Sequence, residues 1–376
     1  MEEKQPQNTI NIAPISKGKR ILTFLADFFL LFILTFIIFN VLVMPVGNVL
    51  TKSSERQKTS DNAAMAQFNI LYEQKVMLHE DDNDLYYYNS NVEYTMNCWL
   101  SYYSFSETDI LETHKQYGNK EENEVIRHFY RDIRNDDNHY ISTLQNFNNE
   151  YDYFNIEGTN VALKDDVKTN IKLSFFSPDD MSTNGKTMLA NMQNAFMNLY
   201  ADVFKDIGRN DLIHNGNSYL ANKRIVKDSE VYLQWQLVIS SLLSYLLSII
   251  IYFAIIPLFI PDGRTLAMLM MRLARIGTNN LYLLNKGENA INAIYMLAFN
   301  LPVAFFMPMT YVAFTYLFNI PVLFPLLIIG LVLALASFIM LLASSYNRTI
   351  CDYLSHSVII KNDDLDEIYR SKGYDI

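Results

Sequence analysis

Apolar residues in this chain gather into long unbroken runs separated by stretches of mixed, short-period character. Four runs stand out: Ile21 to Met44, Val231 to Ile260, Ile291 to Phe318 and Val322 to Ala343. Each exceeds the roughly 18 apolar residues needed to cross a hydrocarbon layer of about 30 Å. Between the first two runs the pattern changes to amphipathic helices. The clearest covers Lys186 to Ile207, where Met188, Met192, Phe196, Leu199, Val203 and Ile207 recur three and four apart, with Gly208 at the expected C-terminal cap. A second helix is predicted over Asp61 to Leu78, with Phe68, Leu71, Tyr72 and Val76 on one face, and a third over Glu122 to Ile133. Asn170 to Ser177 alternates Ile171, Leu173 and Phe175 with polar residues and reads as a strand. The expected fold is an all-α membrane protein, a four-helix transmembrane bundle carrying a mainly helical extracytoplasmic domain.

Basic residues orient the bundle, because short loops rich in Lys and Arg stay in the cytoplasm. Lys4, Lys17, Lys19 and Arg20 precede the first run, Arg264, Arg272, Arg275 and Lys286 lie between the second and third, and Arg348 and Lys361 follow the fourth. All fall on one side if the number of spans is even. The reading is then a polar cytoplasmic tail over 1–20, disordered to about residue 16, with spans over 21–44, 231–260, 291–318 and 322–345. An extracytoplasmic domain occupies 51–230, and cytoplasmic segments occupy 261–290 and 346–376. A tight outer turn falls around Asn319 to Pro321. The first run is too long for the about 7–15 apolar residues of a signal peptide and lacks a small-residue cleavage site, so it reads as an uncleaved anchor. A multi-pass protein of the cell membrane follows, with the lipid bilayer as its first partner and a second copy or another membrane protein as a further one.

The near-zero mean hydropathy averages over these two kinds of sequence. The net charge of −10 resides in residues 51–230, which hold 18 Lys and Arg against 29 Asp and Glu. That balance excludes nucleic acid as a partner and reads as a solvated surface rather than an acidic binding face. Cys98 and Cys351 fall on opposite sides of the membrane and cannot pair, so the extracytoplasmic domain relies on packing alone. At this length it can bury its own core.

Polar positions inside the runs carry the candidate chemistry. Ser240, Ser244 and Ser248 repeat every four residues, as do Gly330 and Ala334, followed by Ser337. Small residues so spaced let helices approach closely, and packing is preferred here over a polar path. Pro302 and Pro308 interrupt the third run, a break that membrane helices tolerate and that also occurs at transporter ion sites. Gly263 to Gly277 places Arg264, Arg272 and Arg275 on one side of a Leu- and Met-rich cylinder, as in an interfacial helix with arginines toward lipid phosphates. Asp27 is an acid two turns into the first run. Burying it there costs about 2.5–3.5 kcal/mol unless it is paired or protonated.

Three separated segments resemble the RDD family of bacterial membrane proteins. They are RILTFLAD at 20–27, DGRTLAMLMMRLARI at 262–276 and NRTICDYLSHSVIIK at 347–361. The resemblance implies Arg20, Asp27 and Asp352 as the family's charged residues, and transport of a cation or small solute. Two departures stand beside it: Ala267 and Met268 occupy positions where the family has Gly and Lys, and the insertion over 51–230 is not covered. The membrane geometry groups Arg20, Asp27, Arg264, Arg272 and Asp352 as one charged cluster at the cytoplasmic boundary.

Enzyme motifs are missing. Asn184 to Thr187 has only the tail of a phosphate loop, and His79 to Asp84 lacks the glycine and final glutamate of a calcium loop. No H-E-x-x-H, nucleophile elbow or C-x-x-C occurs, so a non-enzyme without catalytic residues, cofactor or metal is expected. His356, one turn after Asp352, reads as a surface residue. Two functions compete. One is transport with Asp27 as the intramembrane carboxylate; the other is a non-transporting accessory or sensor whose extracytoplasmic domain binds a partner or ligand.

Overall fold

A computed structural model describes residues 14–79, 88–106, 123–260, 264–278, 281, 286–300 and 323–371. The chain divides into two compact units, one of Glu55–Glu230 and the other combining Met1–Ser54 with Val231–Ile376. It is mostly helical, with three two-stranded antiparallel sheets among the described residues.

The first long helix is started by Ser16, whose hydroxyl accepts the Lys19 N–H. It runs as α1 (Lys17–Ile38), a π-helical stretch (Phe39–Val43) and α2 (Met44–Thr51), and ends where Lys52 turns left-handed at φ 53°. The buried face of α1 is Arg20, Thr23, Asp27, Leu31, Thr35 and Ile38. Leu22, Leu25, Phe29, Ile33 and Phe36 point outward, exposed. This is the reverse of a soluble helix, with polar groups inside and large apolar groups outside. Thr23 and Thr35 donate to the carbonyls one turn back, at 2.8 Å each, which satisfies their hydroxyls within the helix. Ile15, expected in a disordered tail, is instead buried against Met268, Leu273 and Ile359.

The inserted unit builds its core from α3 (Ser53–Glu73), α4 (Tyr88–Ser104), α5 (Val125–His128) with a π-helical turn to Ile133, and α6 (Asp137–Tyr151). A hairpin of β1 (Phe154–Glu157) and β2 (Asn160–Leu163) follows, then α7 (Asp165–Phe176), α8 (Thr183–Asn210) and a minimal hairpin of β3 (Ile213–His214) and β4 (Asn217–Ser218). Trp99, Phe129, Tyr140, Leu144, Ile171, Phe196 and Ile207 are buried at its centre. The polar atoms carried in with them are paired: Trp99 Nε1 donates to Tyr140 Oη at 3.0 Å, and the Tyr103 and Tyr140 hydroxyls lie 2.6 Å apart.

Three expectations are corrected here. The strand over Asn170 to Ser177 is the C-terminal half of α7. Val167, Ile171 and Phe175 form a four-residue stripe against the core, and Ile171, Leu173 and Phe175 taken alone mimic the alternation of a strand. Gly208 does not cap α8, which continues to Asn210 and stops at Asp211, φ 56°. The helix predicted to reach Leu78 ends at Glu73, and Val76 and Met77 enter the core from a turn in which Lys75 has φ 52°.

The other unit resumes along α9 (Tyr219–Ile249), a π-helical stretch (Ile250–Ile255) and α10 (Ile256–Phe259). Lys17–Thr51 and Tyr219–Phe259, at 35 and 41 residues, are long and apolar enough to cross a membrane. The remaining elements are α11 (Leu266–Met270), β5 (Leu273–Gly277), α12 (Lys286–Phe299), α13 (Leu323–Ala343), α14 (Ile350–Leu354), β6 (Ser357–Lys361) and α15 (Asn362–Ser371). Most of the third predicted span, with Pro302, Pro308 and the turn near Asn319, lies outside the described residues, as do Gly263 and the acidic residues 80–84.

The predicted interfacial helix is replaced by α11 and β5. Strand β5 pairs antiparallel with β6, with Arg275 opposite Ile359 and Ile276 opposite Val358. The β-branched run Val358, Ile359 and Ile360 supplies a partner strand that local helical periodicity cannot anticipate. Ala274, Ile276, Val358 and Ile360 face Leu365 and Ile368 of α15, while Leu273 and Ile359 join Ile15 and Met268 on the other face.

Because the inserted unit carries its own core, residues 55–230 expressed alone should give a helical circular dichroism spectrum and a cooperative melt. Phe196→Ala should lower its stability by about 3–5 kcal/mol. Cys98, fully buried, should react with thiol reagents only as the unit unfolds. A coil-like spectrum, or a thiol modified in the native state, would contradict this.

Candidate functional site

Thr349 and Asp352 open the site. They form a capping box on α14: the Thr349 hydroxyl accepts the Asp352 N–H, and Asp352 Oδ2 accepts the Thr349 N–H at 2.9 Å and its hydroxyl at 2.8 Å. A third donor, Arg20 Nη2, reaches the same oxygen at 2.6 Å. Arg275 Nη2 lies 3.6 Å from the other oxygen, Oδ1, which has no hydrogen-bond partner. Asp352 is 1% exposed, Arg20 6% and Arg275 5%, so this is a buried ionic group. Burial alone would raise the Asp352 carboxyl, but Arg20, then Arg275 and the Thr349 donors, outweigh it and hold the group below the ordinary carboxylate range. Its neighbour Cys351 donates to Asn292 Oδ1, and burial pushes that thiol up to about 12.

Asp27 takes its hydrogen bond from Tyr252 Oη, 2.7 Å from Oδ1, on the second long helix. Thr265 and the guanidinium groups of Arg275 and Arg20 surround it as well. Of the five residues grouped from sequence, Arg20, Asp27 and Asp352 meet in one place and the other two do not. Arg264 is buried and donates to Asn362 Oδ1 at 2.7 Å, tying the loop to α15. Arg272 is exposed, at φ 52° in the turn before β5. The group's remaining cation is Arg275, carried inward by the strand that the helical reading missed.

Between these charges and α12 and α13 lies a cavity of about 440 Å³. Its polar lining includes Arg20, Asp27, Thr265, Arg275, Asn292 and Thr349; its apolar walls include Phe24, Met296, Phe299, Leu331, Leu335 and Phe338. Ser337, on the α13 side, shares a 2.6 Å hydrogen bond with Tyr295. Gly330 is buried and Ala334, which also lines the cavity, is half-buried. Ser240, Ser244 and Ser248 are buried elsewhere along α9; Ser244 and Ser248 donate to the carbonyls one turn back at 2.7 and 2.6 Å. A side chain at Gly47 would lie 3.5 Å from the Ser240 hydroxyl, which is close helix approach. His356 is exposed and its backbone carbonyl accepts from Thr278.

No family model matches the chain, and no curated protein or solved structure matches it. The chemistry of the site is therefore read from its own geometry. Tyr252 and Asn292 carry no signal in the sequence, whereas Thr265 and Thr349 lie inside the segments that resemble the RDD family. Only Thr349 had a local signature, the T-x-x-D pattern of a capping box.

The Arg20 and Asp352 pair yields a stability prediction. Removing one partner of a buried pair strands the other, so Asp352→Asn should destabilise the protein in detergent by about 3–5 kcal/mol. Arg272→Ala, at an exposed position, should stay within about 0.5 kcal/mol. The folded Asp352 carboxyl is depressed, so its contribution is complete above the unfolded carboxylate value of about 3.9 and is lost as pH falls below it. Thermal melts between neutral pH and about pH 3 should show that loss in the native protein, with a smaller one in Asp352→Asn. Equal pH profiles would rule out this role.

Proposed function

We propose that the chain is a four-span membrane protein with both termini in the cytoplasm and residues 55–230 outside, and that the cavity beside Asp27 binds a small solute for passage across the membrane. The observation that carries this reading is a cavity lined jointly by an intrahelical carboxylate, two buried guanidinium groups and apolar walls. Ionisable groups at such depth are costly and mark pathways or binding sites. The outward apolar face of α1 suits lipid. The start of α1 and the end of α13 are adjacent, Lys17 Nζ donating to the Leu342 carbonyl at 2.7 Å, which suits helices that begin and finish on one side. The three segments that resemble the RDD family supply Arg20 and Asp27, Arg275, and Asp352 to the same site, which supports membership. With two guanidinium groups in the lining, a solute is better supported as cargo than a bare cation.

The accessory reading draws on the private core of the inserted unit, which needs nothing from the rest of the chain to be filled. Co-purification of a second membrane protein with full occupancy, and no flux in liposomes, would favour it.

Two measurements test the proposal. Cysteines placed at exposed Asn198 and Lys361, one at a time, report sidedness, since the native thiols are buried. A membrane-impermeant reagent on intact cells should label the first and spare the second; the opposite result would invert the topology. In liposomes, Asp27→Asn should cut solute-driven flux by roughly tenfold or more while the protein still folds. Unchanged flux would remove Asp27 from the transport path.

A further inference from the structure

The cavity holds a guanidinium that the protein leaves uncommitted. Arg275 is 5% exposed, yet among the described residues its side chain makes no hydrogen bond and a single ion-pair contact, with Asp352 Oδ1 at 3.6 Å, and its Nε is buried without a partner there. Arg20 commits Nη2 to Asp352, and its Nε too is buried and unpartnered. Guanidinium offers five donors in a planar fork shaped for carboxylate or phosphate oxygens, and leaving such donors dry is costly. Donors of this kind lining a cavity call for an anionic acceptor.

The opposite wall calls for something else. Leu331, Leu335 and Phe338 form a stripe on α13 that lines the cavity. The same residues are 55%, 60% and 45% exposed, and Leu25 on α1, also in the lining, is 53% exposed. Cavity wall and outward apolar surface are thus continuous. In a membrane that surface meets acyl chains, so the cavity opens sideways into lipid. Asp27 shares the lining and opposes an anion, but it already receives the Tyr252 hydroxyl. A bare cation would face two guanidinium groups there.

We propose that this cavity binds an anionic amphiphile, its phosphate or carboxylate head on Arg275 and its apolar chain along Leu331, Leu335 and Phe338. The inference rests on the membrane placement argued above and names the class of ligand for that site. A fatty acid and an acidic phospholipid share the required chemistry, as does free phosphate for the head alone, and the test separates them.

Full-length protein in a non-ionic detergent is titrated in parallel with phosphatidylglycerol, oleate, phosphatidylcholine and inorganic phosphate, with bound ligand counted by native mass spectrometry. At least one of the two anionic amphiphiles should bind, roughly tenfold or more tighter than phosphatidylcholine and than inorganic phosphate. Whichever of phosphatidylglycerol and oleate binds more tightly identifies the source. Arg275→Gln should weaken that binding by roughly tenfold or more. Should that variant misfold, Leu335→Trp, at an exposed wall position, fills the chain site without touching the charges and should weaken binding similarly. Equal binding of phosphatidylcholine overturns the anionic head; phosphate binding as tight as the amphiphile's overturns the chain; binding unchanged in the folded variants overturns the site. The measurement needs no gradient. A protein that binds the amphiphile but moves nothing refutes transport alone, and one that supports flux while ignoring both amphiphiles refutes this inference alone.

Discussion

A buried carboxylate that must serve several donors at once organises one whole unit of this protein. Asp352 closes the first turn of α14, neutralises Arg20 from the beginning of the first long helix, and stands beside Arg275 from β5. None of these groups could be buried singly, because the desolvation of each is repaid only by the others. Their mutual dependence fixes where α1 begins relative to α14 and which face of β5 turns inward. It also leaves the Asp352 Oδ1 without a hydrogen bond and the Arg275 guanidinium lining a cavity.

The second long helix adds a neutral counterpart. Tyr252 gives Asp27 a hydrogen bond without adding charge, so the acid inside α1 takes a neutral donor at 2.7 Å while the acid outside it takes a cationic one at 2.6 Å. That difference separates the two carboxylates chemically. One, Asp352, takes three donors on a single oxygen. The other lines open space, where its environment changes with whatever occupies the cavity.

Legibility in the sequence followed the range of the interactions involved. The long apolar runs, the α8 stripe and the intrahelical acid announce themselves within a few residues, since helix periodicity is local. Arg20 and Asp27 lie seven residues apart on α1, and Asp352 follows the end of α13, so helix ends alone bring these three near one level. The β5–β6 ladder was not legible, because Leu273–Gly277 has a plausible helical face and its true partner lies some eighty residues on, in a Val and Ile run that alone says only that a strand is possible. Missing that pairing sent Arg275 to the lipid surface and Arg272 into the cluster. In α7 the helical period shows only when Val167 is counted with Ile171 and Phe175, because residues 170–177 alone hold too few turns to separate a period of four from one of two.

Arg20 and Asp352 are 332 residues apart, so at about 5–20 residues per second the ribosome delivers the carboxylate roughly a quarter of a minute to a minute after the guanidinium. Glu55–Glu230, whose core is complete within itself, has every residue it needs long before then. The unit that begins first in the chain is thus the one that finishes last. Until α14 is made, α1 waits with an arginine whose counter-charge has not yet been synthesised.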